Sequence, residues 1–385
     1  MKYRLNEPYL KGREKEYVLD VLSSGWLSLR GKHTIVFEEK FAKTVGIKYA
    51  LALQSGTAAV HTAIMALGLG KGDKVLVPNY TCAGSIVGII QCGAIPVILD
   101  IEPDTFGLDL ELVKKYIKKI KPKALMIVHI YGFPARDTEQ LAKICNENGV
   151  FLIEDCSEAL GANIGGRSVG TYGDIATYSI RSEKMIGVGE GGVVVTNSKK
   201  LLDNAFYWVS RAAPYRTDKD PYWKTYQYTG VGTNYLLPHL LGAVARAQIE
   251  NFDEILKRKV AIGLRYQKLF SRIPGVRLQK LIKGHSPAFW LNIVILENLD
   301  KEDVRRIGKS LIKAGVEIRP AFWPLGDLRP FKKMKCGSQK GAMQIFYNGI
   351  VLPSSVYLAD NGCRKIDEVV DIFLSRFQDN NSKGI

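Results

Sequence analysis

The sequence predicts an α/β fold: a large, parallel-type sheet covered by helices on both faces, followed by a smaller α/β lobe. Three observations carry this reading. From Tyr49 to Thr196, short and wholly apolar runs alternate with amphipathic helical stretches, and strands apolar on both sides belong to a sheet buried between two helix layers. The polar and glycine-rich residues of this region follow the apolar runs, at the C-terminal strand tips where open α/β sheets hold ligands. Beyond Pro274 the pattern resets to a second, shorter alternation. With 385 residues, 46% of them hydrophobic, the chain can fill one large core and one smaller one.

Taken in order, residues 1 to 33 open with an extended arm and a helix over Arg13 to Leu22, stopped by Ser23-Ser24-Gly25-Trp26-Leu27-Ser28. Trp26 in that glycine-bounded loop either lines a substrate cleft or plugs the junction between lobes. Apolar spacing predicts a second helix over Ile35 to Val45 and a strand over Tyr49 to Leu53, after which Ser55-Gly56-Thr57 opens a helix running to Leu67. Strands follow at Val75 to Val77, Pro96 to Leu99, Ala124 to Ile130 and Val150 to Ile153, separated by helices at Ala83 to Gln91, Asp109 to Ile120 and Thr138 to Asn148. Gly192 to Thr196 reads as another strand and Leu201 to Val209 as a helix. Residues 211 to 233 read as a long loop, and Leu240 to Phe270 as one long helix. The smaller lobe contributes strands near Trp290 to Leu296, Val316 to Arg319 and Gly349 to Leu352, and helices at Lys301 to Ala314 and Cys363 to Phe377. The expected domains are 1–270 and 271–385, with a disordered tail from Gln378.

Bulk chemistry narrows the function classes. Met1 to Glu14 is polar and charged, unlike a signal peptide, and no run of about 18 apolar residues occurs, so the expected location is cytoplasmic, with no membrane partner. Six cysteines without CxxC spacing and five histidines without paired spacing support neither a disulfide framework nor a metal site. The net charge of +16 comes from lysines spread along the whole length, with no arginine-rich arm, which is lysine-rich composition rather than a nucleic-acid surface.

The chemistry concentrates between Ile153 and Thr196. Lys184 follows a strand and precedes the glycine-rich run Gly187 to Gly192, which can hold only a tight loop, so its amine is presented at a strand edge. Asp155 ends the apolar run Val150 to Ile153, placing a carboxylate at the tip of a buried strand. A lone lysine in a loop is usually a solvated charge, and an aspartate after a strand is usually a helix cap. The stretch Gln54-Ser55-Gly56-Thr57-Ala58-Ala59 changes that balance, because a small-residue turn feeding a helix aims free N–H groups and the positive dipole end at one spot, a phosphate cradle. A lysine able to form a Schiff base, an acid to pair a pyridinium nitrogen and a phosphate cradle are what a pyridoxal-phosphate site draws from its protein. His129, at another strand tip, reads as an acid–base group or, more simply, as a structural histidine.

The assembled set resembles the DegT/DnrJ/EryC1/StrS sugar aminotransferases, a branch of the fold-type-I pyridoxal-phosphate enzymes, over nearly the whole chain. The resemblance rests on Gly25-Trp26-Leu27-Ser28, Ser55-Gly56-Thr57-Ala58-Ala59, Val77-Pro78-Asn79-Tyr80-Thr81, Val128-His129-Ile130-Tyr131-Gly132, Glu154-Asp155 with Glu158-Ala159, Gly173-Asp174, Ser179 with Lys184, Gly189-Glu190-Gly191-Gly192, Gly232-Thr233-Asn234-Tyr235, Arg319-Pro320 and Leu352-Pro353-Ser354. It implies a doubly wound, mostly parallel seven-stranded sheet domain and a smaller C-terminal α/β domain. It also implies Lys184 as the Schiff-base lysine and proton carrier, Asp155 on the ring nitrogen, Glu158 (Gln in many relatives) facing the ring hydroxyl, and Gly56, Thr57 and Ser179 on the phosphate. Asn234 would reach the cofactor phosphate of the neighbouring subunit, making the unit a homodimer with shared sites. The implied cofactor is pyridoxal 5'-phosphate, passing through pyridoxamine 5'-phosphate. The implied donor is L-glutamate and the acceptor a keto sugar. Glu158 and the Gly25 to Ser28 stretch lean toward the perosamine-synthase-like branch, with nucleotide-linked 4-keto sugars; a nucleotide-free keto sugar acid is the alternative acceptor.

Two positions depart from the family pattern. Cys82 stands where relatives usually set an aromatic ring over the cofactor, and Pro324-Leu325-Gly326 replaces the frequent Pro-Leu-His. Substrate contacts are expected from Trp26, Tyr80, Arg181, Arg319 and Trp323. A dehydratase branch that replaces the lysine with histidine is disfavoured by Lys184. A non-catalytic scaffold or regulator that merely kept the fold would have little reason to retain Lys184, Asp155 and Ser179 together.

Overall fold

The computed structural model describes residues 1–28, 30–213 and 226–381. Helices α1 (Glu14–Ser24) and α2 (Lys32–Val45) precede β1 (Tyr49–Leu53) and α3 (Gly56–Ala66). Alternation follows through β2 (Lys74–Pro78), α4 (Gly84–Gln91), β3 (Ile95–Leu99), α5 (Leu110–Ile120), β4 (Ala124–Val128), α6 (Thr138–Asn148) and β5 (Phe151–Asp155). The short strands β6 (Asn163–Ile164) and β7 (Arg167–Ser168) lead to β8 (Ile175–Ser179), β9 (Gly192–Thr196) and α7 (Lys199–Val209). Then come α8 (His239–Glu250), α9 (Phe252–Phe270), β10 (Val276–Leu278), β11 (His285–Ser286), β12 (Asn292–Leu296), α10 (Lys301–Lys313), β13 (Arg319–Pro320), α11 (Lys340–Asn348), β14 (Gly349–Leu352) and α12 (Asp360–Asn381).

The main sheet has seven strands in the order β1-β9-β8-β5-β4-β2-β3. Neighbours from β8 to β3 run parallel, whereas β9 runs antiparallel to both β1 and β8. The residue alternation of each strand sorts side chains between the two helix layers. Val75, Val77, Met126 and Val128 face the core that holds Ala59 and Ile64 of α3 and Ile86 of α4. Leu76, Leu125, Ile127 and Leu152 face the opposite core, against Val113 and Ile117 of α5 and Leu141 of α6. A four-stranded antiparallel sheet, β10-β12-β14-β13, backs a second core of Val294, Leu296, Ile307, Leu311 and Phe373. Helix α9 serves both centres. Phe252 and Ile255 sit in the first core, while Ile262, Tyr266 and Phe270 sit in the second, with Tyr3 from the N-terminal arm.

The structure departs from the sequence expectation in several elements. The long helix expected over Leu240 to Phe270 is two helices broken at Asn251 (φ −105°, ψ 10°), whose N–H closes α8 on the Gln248 carbonyl at 3.2 Å. Its carbonyl restarts α9 through Ile255 at 3.3 Å. Val316 forms only an isolated bridge to Tyr3, leaving Arg319–Pro320 as the ladder with β14. Helix α12 runs through the expected tail as far as Asn381. Residues 214–225 of the expected loop lie outside the described residues, as do 382–385. Helix α11 was not foreseen because its cap is tertiary: Asp100 accepts from the N–H groups of Gly341 (2.9 Å) and Ala342 (3.0 Å) across the fold.

Candidate active site

Strand order converges β5, β8 and the start of α3 on one cavity of about 330 Å³. At the head of α3 the Ser55 hydroxyl accepts from Ala58 N at 3.1 Å and the Ser55 carbonyl from Ala59 N at 3.0 Å. Gly56 and Thr57 have no helical partner for their N–H groups and lie on the cavity wall, where the helix dipole favours an anion. A Cβ at Gly56 would stand 2.9 Å from Ser179 Cβ, so glycine keeps the recess between α3 and β8 open. Gly192 of β9 backs the same turn, and a Cβ there would meet the Ser55 carbonyl at 2.3 Å.

Lys184 sits on the loop joining β8 to β9. Ser182 N bonds the Gly189 carbonyl at 2.9 Å, Val188 N the Ile180 carbonyl at 3.0 Å and Lys184 N the Arg181 carbonyl at 2.8 Å, closing a compact hairpin connection. Its Nζ donates to Glu158 Oε1 at 3.2 Å and lies 3.6 Å from the centre of the Trp290 ring. Glu158 is buried, and its Oε2 accepts from Tyr131 N at 2.9 Å. Burial pushes the Glu158 carboxyl above its ordinary range, against the opposing pull of the Lys184 ammonium. Asp155, 3% exposed, accepts from the Ser85 hydroxyl at 2.7 Å through Oδ2 and from Ser157 N at 3.0 Å through Oδ1. Amine and carboxylate are thus walls of the same cavity, with Cys82, Ser179 and Phe322.

The comparisons with known proteins agree with this geometry. The model of the DegT/DnrJ/EryC1/StrS aminotransferase family matches residues 8–373. The chain is 37% identical to a GDP-perosamine synthase of Vibrio cholerae over 366 residues, 94% of this chain and 96% of that protein. It is 34% identical to a GDP-perosamine synthase of Escherichia coli O157:H7 over 376 residues, 97% of this chain and 100% of that protein. Among solved structures, the aminotransferase TlmJ of Streptoalloteichus hindustanus superposes with a TM-score of 0.88 at 26% identity, covering 98% of this chain and 99% of that one.

The chain belongs to the DegT/DnrJ/EryC1/StrS aminotransferase family.

It is therefore an aminotransferase, of a family that depends on pyridoxal phosphate. The donor set fits that group: unpartnered helix N–H groups beside a recess that one extra Cβ would fill, a buried carboxylate and a lysine amine share one cavity.

The structure sorts the remaining sequence-predicted positions of this aminotransferase. Arg181 is on the cavity wall, paired with Glu183 at 3.2 Å and Glu190 at 3.5 Å. Arg319 and Trp323 line an adjoining cavity of about 670 Å³ that shares Arg181, Glu183, Trp290 and Phe322 with the first. Tyr80 lines neither cavity. It is wholly buried, bonded through its hydroxyl to Tyr131 at 2.9 Å, because the chain turns its ring inward among Phe106, Tyr131 and Phe322. Trp26 also lines neither cavity; it is 57% exposed and offers its carbonyl to His239 Nδ1 at 2.7 Å. Asn234 is exposed and lies off both cavities of its own chain. His129 is fully buried, its Nε2 3.2 Å from Glu154 and its Nδ1 accepting from Ala135 N at 3.0 Å. It forms a buried trio with Glu154 and Cys156, in which the Glu154 carboxylate is filled by the N–H groups of Gly170, Tyr172 and Gly173. No helix among the described residues is long and apolar enough to cross a membrane.

Sequence reasoning missed Ser85, Trp290 and Phe322. Ser85 carried a usable signal, a hydroxyl in the first turn of a helix after a strand tip. Trp290 and Phe322 carried none, since nothing local ties them to Lys184. They supply the aromatic surface of a cavity whose wall also includes Cys82.

Proposed function

We propose that this aminotransferase moves an amino group from an amino acid, L-glutamate by family habit, to a nucleotide-linked 4-keto-deoxy sugar, in two half-reactions on pyridoxal 5'-phosphate. The observation that carries the reading is the sharing of one buried cavity by the Lys184 amine, the Asp155 carboxylate and the head of α3. When bound, the cofactor supplies an electron sink that holds the amino group between the two half-reactions. Gly56, Thr57 and Ser179 bind its phosphate through helix N–H groups and a hydroxyl. Asp155, held by Ser85 and Ser157, keeps a proton on the ring nitrogen. Glu158 faces the ring hydroxyl and gives the Lys184 ammonium a partner while the amine is free. Lys184 Nζ would take a proton from the donor's α-carbon in the first half-reaction and, in the second, deliver a proton to the sugar carbon that receives nitrogen.

The acceptor reading is supported by the identity to GDP-perosamine synthases and by the wide adjoining cavity, whose walls include Arg181, Arg319 and Trp323. Cations and an indole suit a sugar carrying a nucleoside diphosphate. Exposed Asn234, off its own chain's cavities, supports a homodimer in which it completes the neighbour's phosphate site. The test is to load the purified protein with the amine form of the cofactor and add candidate nucleotide-linked 4-keto sugars. Return of the aldehyde form's visible band is expected, and Lys184→Ala should lose turnover. Protein that takes up no cofactor, or a Lys184→Ala form that still turns over, would sink the reading.

A further inference from the structure

Lys259, in the middle of α9, is 1% exposed, and no carboxylate pairs with it among the described residues. Its Nζ instead meets three neutral oxygens: Asn6 Oδ1 at 2.8 Å, the Trp290 carbonyl at 2.9 Å and the Ser354 carbonyl at 2.6 Å. An ammonium has three hydrogens and fits three acceptors, whereas a neutral amine leaves one without a donor. Burying an amine away from water is expensive in either protonation state, and methionine of similar length would fill the volume without that expense. Packing alone therefore does not account for a lysine here. What it holds does.

Two of its three partners converge on one atom. The Asn6 side-chain amide and Trp290 Nε1, the latter at 2.5 Å, both donate to the carbonyl of Glu183. Glu183 immediately precedes Lys184, and the same Trp290 ring lies 3.6 Å from Lys184 Nζ. The third partner, Ser354, accepts Asn292 N on its hydroxyl at 3.1 Å and donates its own N–H to Leu5 at 2.7 Å. The N-terminal arm, the entrance to β12, the exit of β14 and the β8–β9 loop thus meet around one buried lysine amine.

We propose that Lys259 is a positioning residue for Lys184, acting through Asn6 and Trp290, which together fix the Glu183 carbonyl and hence the loop that presents the reactive amine. The role rests on Lys184 being the amine that reacts with the cofactor. Lys259 touches neither substrate nor cofactor; it sets where the Lys184 amine stands between Glu158 and the Trp290 ring. Without it the Trp290 carbonyl and the Asn6 amide lose a common anchor, and the loop is held only by its internal hydrogen bonds.

The test compares amide hydrogen exchange of full-length wild type, Lys259→Met and Asn6→Ala. In both variants the amides of Ser182, Lys184, Gly187 and Val188 are expected to exchange roughly tenfold faster, with those of β4 unchanged. A second readout is the pH dependence of the visible band of the cofactor-loaded protein, expected to move in both variants because the lysine environment has changed. Unchanged exchange over 182–188 in both variants, or an equal quickening across the whole protein, overturns the proposal. Should Lys259→Met not fold, Asn6→Ala decides alone, since it removes the bridge and leaves the buried lysine in place. Failure of the functional reading looks different: the wild type would show no visible band, or Lys184→Ala would keep it, whatever the exchange result.

Discussion

Asp155 is held in the cavity by two donors, and the stronger lever is the Ser85 hydroxyl at 2.7 Å, itself in contact with Thr81 Oγ1 at 2.8 Å. A hydrogen bond to a buried carboxylate is worth about 1.5–3 kcal/mol, so its loss is felt where the carboxylate works. Ser85→Ala is expected to lower kcat roughly tenfold with little change in the KM of the sugar, because Ser85 bonds Asp155 and lies off the adjoining cavity proposed for the sugar. Steady-state kinetics check this, and an equal loss in kcat and rise in KM would assign Ser85 to substrate binding. Lys184 and Asp155, which line one cavity, could be singled out because each stands at a break between an apolar run and small residues. Ser85 lies 70 positions from Asp155, and Trp290 lies 107 from Glu183, so their parts were written only in the packing. Tyr80 shows the converse: a strand tip was read correctly, yet its ring turns toward Tyr131 and away from the cavity.

At the scale of elements, the head of α3 works because of what is missing from it. Gly56 and Thr57 line a recess that Ser179 bounds and that any side chain at residue 56 would narrow. Gly56→Ala is expected to leave far-ultraviolet circular dichroism unchanged and to weaken cofactor retention by about tenfold or more, about 1.4 kcal/mol of lost phosphate contact. Absorbance after dialysis measures it; full retention would mean that the phosphate is held elsewhere. The seven-stranded sheet was readable because its strands are solid apolar runs. The break at Asn251 was not, since the apolar period passes through it and only the divergent packing of α8 and α9 requires it. Helix α11 was hidden for a related reason, its capping aspartate standing 241 positions earlier in the chain.

For the whole molecule, Lys259 ties stability to pH. Burial pulls its pKa down to about 7 from the ordinary 10.5. Between those values the unfolded chain keeps a proton that the folded chain has released, so folding becomes more favourable as pH rises through that window. Lys259→Met lacks the group and should lack the rise. The wild-type advantage over the variant is expected to grow from about pH 7 to about pH 10 in urea unfolding; a constant gap would mean that the folded protein holds the proton throughout. The two cores were each legible, but their stitching was not, because Tyr3, Asn6 and Lys259 look like an ordinary surface arm and a polar helix face. The match to the family model starts at residue 8, and the seven residues before it include Tyr3, wedged into the second core, and Asn6, latched onto the carbonyl beside Lys184. A chain shortened to the matched span would keep the family's motifs and lose the strap that, on the reading proposed above, holds the Lys184 amine in place.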